Sequence, residues 1–183
     1  CIIRNLWPVS RNVSPFKSMI QFLQPDKEYA VGVTSETETI QMRDMCSADV
    51  AQVLDIEERC FVTPWSRMSF QKELANPHAQ CAVATSKDRV VGYSVVWVIA
   101  DEVQILNLAV SPHAQRRGIG SQLLDRIVSN ARARSARSIF LEVRASSIPA
   151  IRLYETWGFR PVGKRKRYYQ TEGTDALLMA KYL

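Results

Sequence analysis

The sequence lacks several features that would assign a chain to a broad class at once. It has no run approaching the roughly 20 apolar residues that a membrane-spanning helix needs, no internal repeat and no low-complexity tract. It has only two histidines and four cysteines, and the cysteines form no close pair of the kind that binds zinc. We therefore expect free thiols, no metal, no membrane association and a reducing, cytoplasmic setting.

What is present is the composition of an ordinary globular domain. The 183 residues are 46% hydrophobic and 23% charged, which is enough to build one core. The formal net charge of +6 favours anionic partners, such as nucleic acid, acidic lipid surfaces or phosphorylated small molecules. Charge alone does not choose among them.

The two ends of the chain differ in texture. Residues 1–35 carry three prolines and no sustained hydrophobic period, which predicts a poorly ordered extension. The one regular element favoured there is a short helix between Ser14 and Pro25. We expect the compact domain to occupy residues 36–183.

Within that domain, hydrophobic periods predict seven strands and four helices. The order is strand, two helices, an antiparallel meander of three strands, helix, strand, helix and two strands. This order predicts an α+β fold with one mixed sheet. The strands are expected at 39–42, 80–85, 90–99, 103–110, 138–143, 159–169 and 176–182. The first helix is expected from Ser47 and the second over 66–75. The third is expected after Gly120, and the fourth from Pro149 until Gly158.

Two glycines, Gly118 and Gly120, lie where a predicted strand passes into a helix. The unpaired N–H groups and the positive dipole end of a helix start form an anion site. A side chain at a glycine would hold a phosphate off the amides, and Arg116 and Arg117 can add charged contacts at the rim. The loop has neither the Gly-Lys-Ser/Thr ending of a P-loop nor a third glycine for dinucleotides. Alone, it is also compatible with ordinary turn chemistry.

The wider motif resembles that of a known family. The segments LNLAVSP at 106–112 and QRRGIG at 115–120 are similar to the acetyl-CoA motif of the GNAT superfamily of N-acetyltransferases. Within it, the chain resembles the RimI group of ribosomal-protein-alanine N-acetyltransferases, on the segments PWS at 64–66, LEVRAS at 141–146, AI at 150–151, LYE at 153–155, GF at 158–159 and RYY at 167–169. The resemblance begins near Glu38 and extends to the C-terminus. It implies helices on both faces of a mostly antiparallel sheet, and a V between two splayed strands for acetyl-CoA as co-substrate.

The same resemblance implies where acetyl-CoA binds. Its pantetheine arm would lie along the backbone of Leu108, Ala109 and Val110. Its pyrophosphate would be held by Arg116, Arg117, Gly118, Ile119, Gly120 and Ser121. The group commonly has asparagine where this chain has Ser147, and the shorter hydroxyl predicts a weaker or water-mediated contact with the cofactor.

The resemblance also implies the catalytic pair, with Glu142 as proton acceptor and Tyr154 as proton donor. The chemistry needs both, because the amine must lose a proton and the leaving thiolate must gain one. A tyrosine with a pKa near 10 can protonate a thiolate of pKa about 8.5. From spacing alone, Glu142 is expected to face solvent, since it alternates with Leu141 and Val143, and Tyr154 is expected to be a partly buried packing aromatic.

Amine chemistry bears on the substrate. An α-amine of pKa about 7.8 is roughly 14% neutral at pH 7, whereas lysine is about 0.04% neutral. This favours a protein N-terminus, and the resemblance implies the N-terminal alanine of protein eighteen of the small ribosomal subunit. The alternatives are an acetyltransferase for lysine or small amines, and a non-catalytic acyl-CoA sensor.

A basic and aromatic run, KRKRYY at 164–169, is the other conspicuous motif. Cations and rings in such a run can bind nucleic acid. The run is also typical of a solvated edge strand whose charges oppose aggregation, with tyrosines at the substrate lip. We favour the second interpretation and expect no direct contact with nucleic acid.

Overall fold

Seven strands and four α-helices make up the computed structural model, which describes residues 39–169 and 174–183. The strands are β1 (Gln41–Asp44), β2 (Ala79–Ser86), β3 (Arg89–Ile99), β4 (Glu102–Val110), β5 (Ser138–Arg144), β6 (Arg160–Tyr169) and β7 (Thr174–Tyr182). The helices are α1 (Val50–Cys60), α2 (Arg67–Ala75), α3 (Ile119–Ala133) and α4 (Ile148–Thr156). The predicted extension at 1–35, with its short helix, lies outside the described residues.

The strands form one sheet in the order β1-β2-β3-β4-β5-β7-β6. Neighbouring strands are antiparallel except β4 and β5, which are parallel. The predicted mixed, mostly antiparallel sheet is therefore confirmed. The hairpin between β2 and β3 turns at Lys87 and Asp88, whose φ values of 46° and 65° are those of a two-residue type I′ turn.

The parallel pair opens into a V. Pairing between β4 and β5 runs from Glu102 with Ser138 to Ile105 with Leu141. At this point the register between β3 and β4 shifts, so that Leu106 is an extra residue in β4. A bulge of this kind bends its strand. Beyond it β4 continues to Val110 without a described partner on the β5 side, and the predicted splay is present.

Helices cover both faces of the sheet, and each face has its own core. The α1 side contains Val53 of α1, Phe70 of α2 and Tyr93 of β3. The α3 side contains Leu123 of α3 and Tyr154 of α4. Consecutive strand residues alternate between the two cores, as the pleat requires, which is why these strands have long apolar runs.

Most predicted boundaries agree with the structure to within one or two residues. The first strand starts two residues later than expected, at Gln41. The first α-helix begins at Val50 because Ser47–Asp49 forms a 3-10 turn, in which Asp49, not Ser47, accepts the Cys46 amide at 2.8 Å. Pro149 is the second residue of α4, after Ile148. Gly158 ends that helix with a φ of 83°, as expected of a left-handed C-terminal glycine.

Candidate active site

The loop between β4 and α3 is fastened to the end of the sheet. The Ser111 amide donates to the Val91 carbonyl at 2.8 Å, and the Gln115 side-chain amide donates to the Val110 carbonyl at 3.1 Å. Arg116 and Gly118 both have positive φ, 62° and 77°, so the backbone turns sharply just before α3. The loop geometry is thus fixed by the strand that precedes it.

The start of α3 has the properties of an anion site. Gly118 is the N-cap, and the first helical hydrogen bond with its carbonyl comes from the Gln122 amide. The amides of Ile119, Gly120 and Ser121 therefore precede the helical ladder. A Cβ built on Gly118 meets nothing within 4 Å, so open space lies over the turn. Arg116 and Arg117 are exposed beside it, and this arrangement fits a diphosphate.

Gly120 also allows two helices to pack closely. A Cβ at this position would lie 3.1 Å from Cδ2 of Leu153 on α4. Glycine here allows α4 to approach α3 closely, so the expectation that the residue only clears space for phosphate is too narrow. Ile119 is buried in the α3-side core and anchors the first turn of the helix.

The arm of the V that belongs to β4 presents backbone rather than side chains. Leu108 and Val110 are buried in the α3-side core, and Ala109 is buried in the α1-side core. One edge of this segment pairs with β3, where Ala109 lies opposite Tyr93. Backbone groups on the other edge face the V, which is the geometry required of a pantetheine-binding strand.

Glu142 lies on β5, in the other arm of the V. Its side chain is only 3% exposed, so the expectation of a solvent-facing carboxylate is wrong. It alternates with Leu141 and Val143 as predicted, but the face it occupies is covered. Oε1 of Glu142 is 3.1 Å from Nη1 of Arg165 on β6. Burial raises the pKa of Glu142, while the Arg165 charge and a hydrogen bond from Tyr168 act in the opposite direction.

Tyr154 lies on α4 and is completely buried, deeper than expected. Its ring packs edge-on against Phe159, with centroids 5.7 Å apart and planes at 69°. Because Tyr154 belongs to the α3-side core and Glu142 points to the opposite face of β5, the two lie on different sides of the sheet plane. A group threaded through the V would pass between the two sides.

Ser147 is the N-cap residue of α4. Its amide donates to the Arg144 carbonyl at 2.9 Å, and its carbonyl accepts from the Ile151 amide at 3.0 Å. Its hydroxyl does not cap the helix. The residue is half-buried beside the end of β5, and the structure leaves open the prediction that it contacts the cofactor.

A buried polar network on the α1 side was not predicted. Glu57 is completely buried, and its carboxylate accepts from the Tyr93 hydroxyl and, at 3.2 and 3.3 Å, from the Asn107 amide. Glu57 also accepts the Trp65 backbone amide at 2.8 Å. Burial and the Glu57 charge raise the pKa of Tyr93 well above its usual value. The one indication in the sequence was that Glu57 lies on the apolar face of α1, four residues after Val53.

This network links the site to the loop between α1 and α2. Asn107 lies on β4 just after the bulge, and Trp65 lies in the loop. Glu57 therefore joins the V to the loop that carries the exposed side chain of Val62 and precedes the exposed Met68 of α2. The hydrogen bonds from Tyr93, Asn107 and Trp65 offset the cost of burying the Glu57 carboxylate.

Two cavities flank the sheet. One of about 360 Å³ lies between α1 and the loop after β4, and its lining includes Arg59, His113 and Arg117. Another of about 450 Å³ lies between β2 and α3, includes Asp44 and Arg126, and contains none of the predicted site residues. Among the described residues, no group of three or more His, Cys, Asp or Glu side chains is placed to hold a metal ion. No helix in 39–169 or 174–183 is long and apolar enough to cross a membrane.

Comparison with known proteins finds relatives over most of this region. Residues 50–159 match the model of the acetyltransferase (GNAT) family. The ribosomal protein bS18-alanine N-acetyltransferase of Salmonella typhimurium is 35% identical over 138 residues, which are 74% of this chain and 93% of that protein. The N-alpha-acetyltransferase RimI of Mycobacterium tuberculosis is 34% identical over 155 residues, 81% of this chain and 96% of that protein.

A solved structure gives the same picture. The crystal structure of the ribosomal-protein-S18-alanine N-acetyltransferase from Escherichia coli superposes with a TM-score of 0.74 at 31% identity. The match covers 79% of this chain and 94% of that one. The fold is therefore shared with a known N-acetyltransferase.

Proposed function

Since this chain belongs to the GNAT family and is an acetyl-CoA-dependent N-acetyltransferase, we propose that it acetylates a protein N-terminus, that of a small-subunit ribosomal protein beginning with alanine. The observation that carries the proposal is the arrangement around the V. The start of α3, which suits an anion, lies at one end of the V. The Tyr154 hydroxyl and the Glu142 carboxylate lie on its two sides. The names of the relatives support the ribosomal substrate, which also fits the expected cytoplasmic setting.

In this proposal the protein binds acetyl-CoA with two kinds of contact. The amides at the start of α3, with Arg116 and Arg117, bind the pyrophosphate, and the backbone of Leu108 to Val110 holds the pantetheine arm. Ser147, at the start of α4, contacts the arm from the β5 side. These contacts fix the thioester carbonyl in the opening of the V, next to the incoming amine.

The chain's own groups then manage the protons. Glu142, directly or through a water, accepts the proton that the amine loses as the new C–N bond forms. Tyr154 donates its proton to the sulfur as the C–S bond breaks. The products are an acetylated N-terminus and free coenzyme A, and no covalent intermediate with the protein is needed. Their positions on opposite sides of the sheet plane suit an acceptor and a donor that act on opposite sides of one carbonyl.

The preference for an α-amine follows from the weak base. A single carboxylate assists an amine that is already partly neutral, and at pH 7 an α-amine is neutral several hundredfold more often than lysine, given pKa values of about 7.8 and 10.4. We therefore assign the N-terminus rather than a lysine side chain as the acceptor.

The test uses two peptides with the same sequence, starting with alanine and containing one lysine. One has a free N-terminus and the other is blocked there. We expect acetyl-CoA to yield one acetyl group on the first peptide, located at the α-amine by fragmentation in a mass spectrometer, and none on the second. Equal acetylation of both peptides would assign the protein to lysine. Binding of acetyl-CoA without amine-dependent thiol release would identify a sensor instead.

A further inference from the structure

Arg165 is a half-buried cation of the basic run at 164–169. It lies on the edge strand β6, next to β7 and two strands from Glu142. The register places Arg144, Ala176 and Arg165 side by side across β5, β7 and β6. Since Glu142 is two residues before Arg144, it lies on the same face. The Arg165 side chain can cross the intervening strand because Ala176 is small and buried.

Two contacts hold Arg165 in this position. Nη1 of Arg165 lies 3.1 Å from Oε1 of Glu142, in a pair whose side chains are 28% and 3% exposed. The guanidinium carbon lies 5.5 Å from the centre of the Tyr168 ring, a cation–π distance. Tyr168 in turn donates a hydrogen bond to Glu142. Arg165, Tyr168 and Glu142 therefore form a closed set of three contacts.

The described residues directly opposite Glu142 on the neighbouring strands carry no charge. Its partner on β7 is Leu178, whose own partner on β6 is Gly163. On β5 itself, the cation Arg144 follows two residues later on the same face and is buried. Among the described side chains, Arg165 and Tyr168 of β6 have a charge and a hydrogen bond that act on the Glu142 carboxylate.

We propose that Arg165 is a positioning residue for the acetyl transfer, which reaches across β7 to orient the Glu142 carboxylate and keep it available to accept the amine proton. This role rests on the function proposed above, in which Glu142 is the acceptor. It gives Arg165, one residue of the basic run, a role other than nucleic-acid binding or solubility.

The physical reason is the cost of a buried carboxylate. Burial favours the protonated acid, which cannot accept a proton, and it raises the pKa of Glu142. A cation in contact favours the ionised form and lowers that pKa. Without Arg165 the carboxyl group would remain protonated to a higher pH, and the fraction of enzyme able to act as a base at a given acidic pH would fall. A residue that only stabilised the fold would not change this titration.

The experiment compares Arg165→Met with Lys164→Met. Both remove one positive charge from β6, but Lys164 points to the other face and pairs with Asp175 at 2.7 Å.

The logarithm of kcat/KM for the alanine peptide is measured against pH. All variants share the titration of the amine near pH 7.8, and the profile steepens again below the pKa of Glu142. We expect Arg165→Met to move this second break upward by on the order of one pH unit, a roughly tenfold loss of rate below it. Lys164→Met should leave the break in place.

A break that is unchanged in Arg165→Met, with a rate loss equal at every pH, would overturn the proposal. If the methionine variant does not fold, Arg165→Lys replaces it. Lysine keeps the positive charge, so this variant should keep the second break of the pH profile close to its wild-type pH.

The pKa of Glu142 is also measured without turnover. The carboxyl carbon resonance is followed in protein labelled at glutamate, and it is assigned by comparison with Glu142→Gln. The pKa should rise in Arg165→Met and not in Lys164→Met. If the wild-type protein acetylates no peptide, the proposed function fails, while this titration still decides what Arg165 does to Glu142.

Discussion

The Tyr154 side chain combines a packing role with a proposed chemical role. The ring has the first role and the hydroxyl has the second. Its ring is completely buried against Phe159, so Tyr154→Phe keeps the packing and removes only the hydroxyl. We expect kcat to fall by about 10²- to 10⁴-fold, the range for loss of a general acid, with little change in acetyl-CoA affinity. Steady-state kinetics and calorimetric titration of acetyl-CoA measure the two quantities.

Phe159→Leu is the matched control for this substitution. It alters the same aromatic contact but removes no proton donor, so it should reduce the free energy of unfolding and affect kcat much less. If Tyr154→Phe lowered kcat and the affinity for acetyl-CoA by the same factor, Tyr154 would be a packing residue only.

Single residues also mark the limit of what could be predicted from sequence. The helix start at Gly118 was accessible, because it is a local feature of the chain, and the V was implied by the family resemblance. The burial of Glu142 was not accessible, because the group that covers it comes from β6, and alternation along β5 shows only which residues share a face. The same holds for Glu57, whose partners lie on β3, on β4 and in the loop after α1.

At the scale of elements, the start of α1 depends on one ion pair. Asp49 accepts from both terminal nitrogens of Arg43 at 2.7 Å and from the Cys46 amide. Arg43 first, then Cys46, lower the pKa of Asp49 to about 2. For an acid with a depressed pKa, the stabilisation is complete above the unfolded value of 3.8 and is lost as the pH falls through about 2.

We therefore expect Asp49→Asn to lower the free energy of unfolding by about 1–2 kcal/mol at pH 7, discounted because Arg43 is half exposed. The difference from wild type should shrink as the pH falls from 4 to 2. Urea unfolding at a series of pH values measures it, with Asp55→Asn, exposed on the same helix, as the control. A difference that is constant over this range would mean that charge at Asp49 does not matter.

The elements themselves were largely predictable, while their ends were less so. Strands with period two and helices with period 3.6 bury whole stripes of side chains. Shifting either hydrophobic pattern by one residue would expose a buried face. The ends depend on individual caps. Ser66, expected as the first residue of the second helix, is the N-cap of α2, and its hydroxyl accepts from the Ser69 amide at 3.1 Å. Before α1, Asp49 and the 3-10 turn take the place where Ser47 was expected.

At the scale of the whole molecule, the sheet consists of two parts with a narrow junction. The strands β1 to β4 pair continuously, and so do β5, β7 and β6. Among the described residues, the strands of the two parts pair only from Glu102 with Ser138 to Ile105 with Leu141. On the α3 side, α4 adds a second connection, since Leu153 packs next to Gly120. A ligand that fills the V contacts both parts, so its binding should stabilise the molecule as a unit.

We expect acetyl-CoA at 100 times its dissociation constant to stabilise the protein by about 2.7 kcal/mol. For a chain of this size, that corresponds to a rise in Tm of roughly 5–10 °C. Acetyl-pantetheine, which reaches the V but lacks the pyrophosphate, should give a small shift at the same concentration, because it makes no contact with the amides at the start of α3. Differential scanning calorimetry with both ligands separates the two contributions. Equal shifts would show that the loop at 115–120 does not bind the pyrophosphate, and that the V alone accounts for the affinity.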